Sequence, residues 1–407
     1  MSRMNYLDKL LDGVAVELRP LDELIHSLKT GLNPRQNFQL NTINAENYYV
    51  TVREIQDGKI FFLDKTDRIN DEALKIINGR SNLEVGDILF SGTGTVGRTA
   101  VISATPSNWN IKEGVYSIKP NSKIINSKFL CYLLNSTELI KEYSKKIVGS
   151  PVISLPMGDL RKIKIPIPCP ENPEKSLEIQ AEIVRILDAM TAHTAELTAE
   201  LTLRKKQYNY YRDKLLSFQD GEVEWKKLGD LAENFDARRK PITSGLREAG
   251  SIPYYGASGI VDYVKDYIFD GDYLLVSEDG ANLLARNTPI SFSISGKSWV
   301  NNHAHVLKFD TYAERKYIEY YLNSIDLTPY ISGAAQPKLN KKNLEGIFVP
   351  NPTLKEKERI VALLDKFDAL TTSITEGLPR EIELRQKQYE YYRDALLSFP
   401  KPDNINE

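Results

Sequence analysis

The chain has 407 residues, of which 41% are hydrophobic and 27% charged, a composition typical of a globular protein with two or three domains. Its formal net charge of −2 argues against a strongly basic nucleic-acid binder, so any nucleic-acid face must be local. Two cysteines, Cys131 and Cys169, exclude a disulfide framework and a four-thiolate zinc site. No apolar run approaches the roughly 20 residues that span a bilayer, and acidic residues near the N-terminus are unlike a signal peptide. We therefore expect a cytoplasmic protein without a membrane partner.

In chain order, the sequence reads as two related halves. The best match aligns residues 203–218 with 384–399 and has 13 identities in 16 positions. Six segments of the first half recur in the same order in the second: VELRPL (16–21) as VEWKKL (223–228), VGDILFS (85–91) as DGDYLLVS (270–277), FLCYLLNS (129–136) as YIEYYLNS (317–324), LRKIKIPIP (160–168) as LEGIFVPNP (344–352), IVRILD (183–188) as IVALLD (360–365), and QYNYYRDKLLSF (207–218) as QYEYYRDALLSF (388–399). The chain therefore contains an internal duplication.

The repeat predicts the domain organisation. Two α/β domains of an α+β-like kind, residues 14–168 and 221–352, are each followed by a helical region, 169–220 and 353–399, and residues 400–407 form a tail. The first segment, 1–13, completes the repeat, because YLDKLL (6–11) resembles YRDKLL (211–216) and YRDALL (392–397). We expect this pseudo-two-fold arrangement to place the N-terminal segment beside the C-terminal helix, with Met4 close to Ser398.

Both helical regions carry a heptad pattern. Apolar or amphipathic residues recur in steps of four and three from Ile183 to Phe218, which predicts a helix of about 54 Å. The second copy holds four extra residues, and Gly377 and Pro379 should break or kink it there. We expect the two long helices to form an antiparallel coiled-coil spacer; the alternative is that each packs only on its own domain. The residues predicted at the helix or subunit interface are Leu197, Leu201, Tyr208, Tyr211, Leu215, Phe218, Tyr389, Tyr392, Leu396 and Phe399.

A tandem tetrapeptide, TAELTAEL, occupies residues 194–201 of the first helix. Four residues add about 6 Å and 40° of net rotation to an α-helix, whereas one base-pair step of DNA is about 3.4 Å and 35°. If the helices hold two DNA-reading domains apart, changing the number of these units should shift the preferred spacing by about one base pair. The alternative is chance repetition of good helix formers.

Taken together, the variable blocks, the TAEL pair and the repeated RKKQYNYYRDKLLSF and RQKQYEYYRDALLSF helices resemble the specificity subunit of a type I restriction-modification enzyme, of the IC-like subclass. The resemblance implies that each block is a target recognition domain for one half of a split site in double-stranded DNA. It implies that the helices fix the gap and dock two modification subunits, and that two restriction subunits join the complex. This chain would be non-catalytic and bind no cofactor, while S-adenosylmethionine, ATP and Mg would be bound by the partners.

None of three candidate catalytic or nucleotide-binding motifs is complete, which is consistent with a non-catalytic chain. The Asn-Pro dipeptides lack the Pro-Tyr that follows in adenine methyltransferases, and GTGTVG (92–97) precedes an apparent strand where a dinucleotide site requires a helix. GKS (296–298) has Ser291 where a phosphate loop has glycine. His303 and His305 could share one face of a strand, but no carboxylate or thiol lies at a recognisable spacing. We therefore predict no metal.

Recognition of DNA requires cationic and amide side chains on loops that can reach phosphates and base edges. In the first block the candidates are Arg35, Gln36, Asn37, Ser91, Thr93, Thr95, Arg98, Lys145, Lys146 and Ser150. In the second block they are Arg238, Arg239, Lys240, Tyr254, Tyr255, Ser258, Asn282, Arg286, Asn301, Asn302, His303, Gln336 and Lys338. Each alone could equally be a solvated loop residue. KKIVGS (145–150) and ISGAAQPK (331–338) occupy equivalent places with different sequences, as expected of readers of different half-sites.

Two other functions remain open from the residues. The chain could be a DNA-binding regulator that reads a split site alone, or a coiled-coil scaffold that binds no DNA. Its acidity predicts weak DNA binding by the isolated chain, with most phosphate contacts supplied by partners.

Overall fold

The computed structural model describes residues 6–11, 13–35, 37–219, 221–333 and 336–400. The chain divides into two compact units. The first unit comprises Met1–Glu196 and Glu383–Glu407, and the second comprises Leu197–Ile382. Each unit therefore contains one globular domain together with helical segments from both halves of the sequence.

Helices and strands are interspersed along both halves. The helices are α1 (Tyr6–Leu11), α2 (Asp71–Arg80), α3 (Ser127–Leu134), α4 (Thr137–Ser144), α5 (Met157–Arg161), α6 (Pro173–Leu216), α7 (Leu228–Leu231), α8 (Asn282–Ala285), α9 (Tyr312–Ser324), α10 (Lys341–Glu345), α11 (Leu354–Thr372) and α12 (Gly377–Leu397). The strands are β1 (Val16–Pro20), β2 (Ile25–Thr30), β3 (Asn47–Val50), β4 (Ile55–Gln56), β5 (Lys59–Ile60), β6 (Arg68–Ile69), β7 (Ile88–Ser91), β8 (Thr99–Val101), β9 (Trp109–Ile111), β10 (Val115–Pro120), β11 (Lys164–Pro168), β12 (Glu224–Lys227), β13 (Glu233–Asn234), β14 (Ala249–Gly256), β15 (Gly259–Val264), β16 (Tyr273–Ser277), β17 (Ser291–Ile294), β18 (Trp299–Val300), β19 (Ala304–Lys308) and β20 (Phe348–Asn351).

The same sheet topology occurs in both units. A four-stranded sheet has the order β2-β10-β7-β8 in the first unit and β13-β19-β16-β17 in the second, and its pairings are antiparallel. A smaller sheet places β3 between antiparallel β6 and parallel β9, and β14 between antiparallel β15 and parallel β18. The pairs β1–β11 and β12–β20 also match. This shared order confirms the duplication and a mixed α/β fold.

The central strands are apolar because both of their faces are covered. Along β7, Ile88 and Phe90 join one apolar cluster while Leu89 joins another. Along β16, Leu274 and Leu275 are likewise divided between two clusters. Alternate side chains of a strand point to opposite faces, so a continuous apolar run here indicates a strand with a core on each side.

The first long helix begins earlier than predicted. It spans Pro173–Leu216, 44 residues, instead of starting at Ile183, and corresponds to about 66 Å. The backbone N–H of Lys175 donates to Asn172 Oδ1 at 3.1 Å, so an Asn cap followed by Pro in the first helical position starts the helix. No helix in the described ranges is long and apolar enough to cross a membrane.

The second helical region, residues 353–399, is broken where the sequence predicts; we call α6 the first arm, and α11 with α12 the second arm. Helix α11 ends at Thr372 and α12 begins at Gly377. Gly377 has a φ of +79°, and a Cβ there would lie 2.4 Å from the carbonyl oxygen of Ala369. Only glycine combines that backbone conformation with so close an approach, which confirms the predicted break.

The N-terminal segment packs beside the C-terminal helix, as predicted. Leu7 and Leu11 of α1 are buried in the same apolar cluster as Leu396, Leu397 and Phe399. Both groups belong to the first unit. Met4 lies outside the described residues, as do 401–407 of the predicted tail.

Within each unit, a stretch of α6 meets the second arm. In the first unit Ile183 and Leu187 of α6 belong to the same buried apolar cluster as Leu396 of α12. In the second unit the rings of Tyr208 and Tyr211 of α6 lie 6.4 and 5.8 Å from the ring of Phe367 of α11. The alternative that each helix packs only on its own domain is therefore wrong.

Candidate nucleic-acid interface

Two candidate loops of the first domain, 33–37 and 91–98, contribute to one cleft, and among the described candidate residues only Thr93 lines it. This cleft has a volume of about 420 Å³, and its lining includes Asn33, Thr93, Gly94 and Val152. These residues come from the segment 33–37, the glycine-rich loop 91–98 and the region just after 145–150, which the fold brings together. Arg53 and Lys112 also line it and bring cationic side chains that the sequence reasoning missed.

The glycine-rich loop connects β7 to β8, as predicted. Ser91 Oγ donates to the Thr95 carbonyl at 2.5 Å and accepts from the Arg98 N–H at 2.7 Å. Gly97 has a φ of +99°, and a Cβ there would lie 2.4 Å from the Tyr143 hydroxyl. Ser91 is buried, so its hydroxyl shapes the loop and is unavailable to DNA. Its assignment as a DNA contact is corrected.

Each domain carries a matched hairpin, 148–154 in the first and 332–338 in the second, of which the structure describes 332, 333 and 336–338. Val148 and Ser154 exchange two backbone hydrogen bonds of 2.8 Å, and Ser332 and Lys338 exchange two of the same length. Both hairpins hold a glycine of positive φ, Gly149 and Gly333, at which a Cβ would approach a carbonyl oxygen within 2.4 and 2.5 Å. The predicted equivalence of these two segments is confirmed.

Each hairpin is clamped to the loop after the central strand in the same way. The Gly94 N–H donates to the Ile153 carbonyl at 2.8 Å, and the Gly280 N–H donates to the Pro337 carbonyl at 3.3 Å. The side chains that the hairpins expose differ. The first exposes Val148, Val152 and Ile153, whereas the second exposes Gln336 and Lys338. The sequence does carry a signal for this first tip, namely branched apolar residues on both sides of Gly-Ser-Pro. The search for DNA contacts missed it, because that search considered only polar side chains.

A buried ionic network supports the second domain's loops. His305 Nδ1 lies 2.6 Å from Asp236 Oδ2, and Nε2 lies 2.7 Å from the Leu339 carbonyl oxygen. Burial alone would raise the pKa of the Asp236 carboxyl, but the hydrogen bond and charge of His305, with Arg239 nearby, lower it. The ring thus bridges the Asp236 carboxylate and the Leu339 carbonyl, two acceptor groups from distant segments.

Glu278 joins this network through cations of two other segments. Its Oε2 lies 2.5 Å from Arg239 Nη1, and its Oε1 lies 3.0 Å from Lys338 Nζ. Burial opposes ionisation, yet these two cations lower the pKa of the Glu278 carboxyl. The ligand atoms of Asp236, Glu278 and His305 lie within 4.8 Å of one another. Because protein cations and hydrogen bonds already engage them, we assign no metal here.

Several predicted contacts are used inside the fold, and the two that are buried, Tyr254 and Asn301, are corrected. Tyr254 and Asn301 are buried, and their oxygens accept from the N–H groups of Ile242 and His303. Three others are engaged by their own domain: Arg239 is held by carboxylates, Asn282 bonds the Thr288 backbone in both directions, and Arg286 donates to the Asn323 and Ile325 carbonyls. These side chains hold loops in shape.

The other candidates stay at or near the surface, although Arg98 and Arg238 also donate to the carbonyls of Val52 and Ile268 at 3.2 and 2.7 Å. In the first domain the exposed ones are Arg35, Asn37, Thr95, Arg98, Lys145 and Ser150, and Thr93 and Lys146 are half-buried. In the second domain the exposed ones are Arg238, Lys240, Ser258, Asn302, His303, Gln336 and Lys338, and Tyr255 is half-buried. Gln36 lies outside the described residues. His303 is partly engaged, since its Nδ1 lies 2.9 Å from both Asp279 carboxylate oxygens.

The predicted interface residues follow the heptad seam. Leu396 and Phe399 are buried. Leu197, Leu201, Tyr208, Leu215, Phe218 and Tyr389 are half-buried. Tyr211 and Tyr392 remain 39% and 42% exposed, because they lie at the edge of the seam and keep part of each ring in solvent.

A family model and the relatives of known name all indicate the same protein family. The model of the type I restriction modification DNA specificity domain matches residues 14–204 and 221–384. The EcoR124I/EcoR124II specificity subunit of Escherichia coli is 38% identical over 426 aligned residues and is covered over 100% of both chains. The EcoprrI specificity subunit of Escherichia coli is 36% identical over 388 residues, 92% of this chain and 93% of that one.

Solved structures agree at the level of the fold. The S subunit of a type I restriction-modification system from M. genitalium aligns with a TM-score of 0.56 and 16% identity, over 96% of this chain and 98% of that one. A chain from a study of complex assembly and conformational transition of the type I R-M system aligns with a TM-score of 0.57 and 16% identity, over 94% and 97%. The two matched segments coincide with the duplicated halves, and the chain belongs to the type I restriction-modification DNA specificity family.

Proposed function

We propose that this chain is the non-catalytic specificity subunit of a type I restriction-modification complex and reads a split DNA target with its two domains. One observation carries the proposal: the hairpins 148–154 and 332–338 have the same backbone frame and clamp but expose different side chains. A shared frame presents each tip in the same way, while different tips select different bases. Valine and isoleucine methyls suit the C5-methyl of thymine, and glutamine suits the edge of adenine.

The helical arms form the spacer between the two readers in this proposal. Helix α6 continues without a break through residues 194–201, and the boundary between the two compact units falls at Glu196 and Leu197, inside the TAEL pair. A continuous helix transmits both a fixed length and a fixed rotation. The contacts of α6 with α11 and α12 support an antiparallel coiled coil as the rod.

Two matched apolar patches on these helices suit two copies of one partner. In the second unit Leu203 and Tyr210 are 65% and 61% exposed, and in the first unit Leu384 and Tyr391 are 43% and 67% exposed. Tyr210 meets Tyr211 edge-to-face at 5.4 Å, and Tyr391 meets Tyr392 at 5.3 Å. Exposed tyrosines on a rigid helix are common at the centre of protein interfaces, so we assign these patches to two modification subunits.

The remaining chemistry belongs to partners in this proposal. The modification subunits would bring S-adenosylmethionine and methylate adenine, and the restriction subunits would bring ATP and Mg. The complex would act on cellular DNA in the cytoplasm.

The test is to express the chain with its modification subunits and to sequence the methylated adenines of the host DNA. We expect one bipartite sequence with a gap of fixed length. A Tyr210→Ala and Tyr391→Ala double variant should assemble poorly with the modification subunits, whereas Tyr263→Ala, also an exposed tyrosine but away from the arms, should assemble normally. Methylation without sequence preference, or specific gap-dependent binding by the isolated chain with no partner retained, would refute the proposal.

A further inference from the structure

Two aspartates occupy matched positions on the long helices. Asp188 of α6 ends the segment IVRILD, and Asp365 of α11 ends IVALLD. The hydroxyl of Tyr132 on α3 donates to Asp188 Oδ1 at 2.6 Å, and that of Tyr320 on α9 donates to Asp365 Oδ1 at 2.6 Å. The same bond between a domain helix and a spacer helix thus occurs once in each unit.

The second oxygen of each aspartate holds another side chain from the same domain helix. Lys128 Nζ lies 2.6 Å from Asp188 Oδ2, and the Tyr312 hydroxyl lies 2.8 Å from Asp365 Oδ2. The identity of this second donor differs between the units, but each carboxylate bridges two donors of one helix. The second donors are not aligned residues, since Lys316, the counterpart of Lys128, pairs with Glu319 instead; the repeated contact is the tyrosine bond.

The bonds from Tyr132 and Tyr320 are the stronger part of each contact. Lys128 and Asp188 keep 54% and 38% of their side chains exposed, so solvent screens that ion pair. Tyr320 is buried. Burial, reinforced by the hydrogen bond to the neighbouring aspartate, raises the pKa of both Tyr132 and Tyr320. Both hydroxyls therefore remain protonated donors, and bonds from a neutral donor to a carboxylate are among the stronger ones in proteins.

Apolar packing alone does not define the rotation of a helix sharply. Phe129 and Leu133 of α3 share a buried cluster with Ile183 and Leu187 of α6, and apolar contact is non-directional. A hydrogen bond weakens steeply when its angle or length changes. One residue of slippage rotates a helix by about 100°, which would move either aspartate out of reach of its tyrosine.

We propose that Asp188 and Asp365 are positioning residues that lock each recognition domain to its spacer helix at one rotational setting. This inference rests on the proposed function and adds what sets the phase at which each domain meets its half-site. Without these locks, a domain could sample neighbouring settings and accept DNA whose gap is wrong by a base pair.

The experiment uses the whole complex with its modification subunits and a target already determined for the wild type. Initial methylation rates are measured on duplexes with the native gap and with gaps one base pair shorter and longer. The double variant Tyr132→Phe and Tyr320→Phe keeps the rings and removes only the hydroxyls. We expect its preference for the native gap to fall about tenfold relative to wild type, the effect of losing hydrogen bonds to charged groups.

Two controls separate positioning from general destabilisation. Tyr317→Phe alters the same helix α9, but the buried hydroxyl of Tyr317 has no hydrogen-bond partner within the described ranges, so the gap preference should stay at the wild-type value. Asp188→Asn keeps an oxygen that accepts from Tyr132 and should retain most of the preference, whereas Asp188→Leu should lose it. The melting temperature of each variant is measured alongside.

The outcomes distinguish this inference from the function on which it rests. A double variant that methylates its target with an undiminished gap preference overturns the inference, as does an equal fall of the rate on all three duplexes. Wild-type complex that methylates no bipartite sequence overturns the proposed function itself.

Discussion

Insertion of one more TAEL unit after Leu201 should lengthen the preferred gap by one base pair. Four residues extend α6 by about 6 Å and rotate its C-terminal part by about 40° net. One base-pair step advances by about 3.4 Å and 35°, so the rotation agrees within about 5° while the translation exceeds the step by about 2.6 Å. Rotation dominates, because a reader on the wrong side of the duplex makes no base contacts, whereas modest DNA deformation absorbs a small axial excess.

The local structure of α6 allows the added length and rotation to be passed along the helix. The helix is continuous through 194–201, and the Oγ of Thr194 and Thr202 bond the carbonyls of Met190 and Thr198 one turn earlier. The second arm has the turn between Thr372 and Gly377, where a change in length can be accommodated without interrupting a helix.

The assay is sequencing of methylated adenines in cells that carry the variant complex. Insertion of a single alanine at the same place is the matched control, since it adds only about 1.5 Å but rotates the helix by about 100°. We expect one base pair more for the TAEL insertion and loss of methylation at every gap for the alanine insertion. An unchanged gap in the first variant, or full activity in the second, would refute the rigid-rod reasoning.

Three further predictions concern single sites. Gly149→Ala should weaken protection of one half-site in footprinting of the complex, and Gly333→Ala that of the other, because the new Cβ would collide with a hairpin carbonyl; Gly158→Ala, with open space around its Cβ, should change neither. His305→Ala should lower the free energy of unfolding of the second unit by about 2 kcal/mol, measured by urea denaturation, because the Asp236 carboxylate loses its 2.6 Å hydrogen bond and keeps only Arg239, at 3.3 Å, as a cationic partner. Since the pKa of Asp236 is lowered from 3.8, its stabilisation should be complete above that pH and be lost as the pH falls through the lowered value, which acid titration of unfolding checks.

Local sequence signals predicted much of the fold. The duplication follows from direct identity, and the break at Gly377 follows from glycine and proline within a heptad pattern. The loop at 92–97 was separated from a dinucleotide site because a strand, not a helix, comes after it. The early start of α6 could also have been predicted, since Asn172 and Pro173 form a helix-capping signal. The prediction relied on the heptad pattern alone and missed it.

The candidate site was harder to predict from the sequence, because burial and long-range contacts decide which side chains can reach DNA. Ser91 and Tyr254 belong to residue types that can contact DNA, yet the fold turns both inward and uses their hydroxyls. Asp236 and His305 are 69 residues apart, so no spacing rule joins them. The apolar hairpin tip around Val152 was not predicted, because cationic and amide side chains were the criterion for a DNA contact.

The duplicated chain must meet two requirements: a constant geometry, and side chains that differ between its two readers. Different residues meet each of them. Both halves retain elements such as the Tyr132–Asp188 bond and its counterpart Tyr320–Asp365, to which we assign the fixing of geometry. Exposed hairpin residues such as Val152 and Gln336 share that frame without sharing its constraints, since neither backbone clamp depends on their side chains. In the proposed complex the same separation would let a net acidic chain read DNA: partners would supply most of the phosphate attraction, and this chain would need only a few correctly placed side chains to distinguish bases.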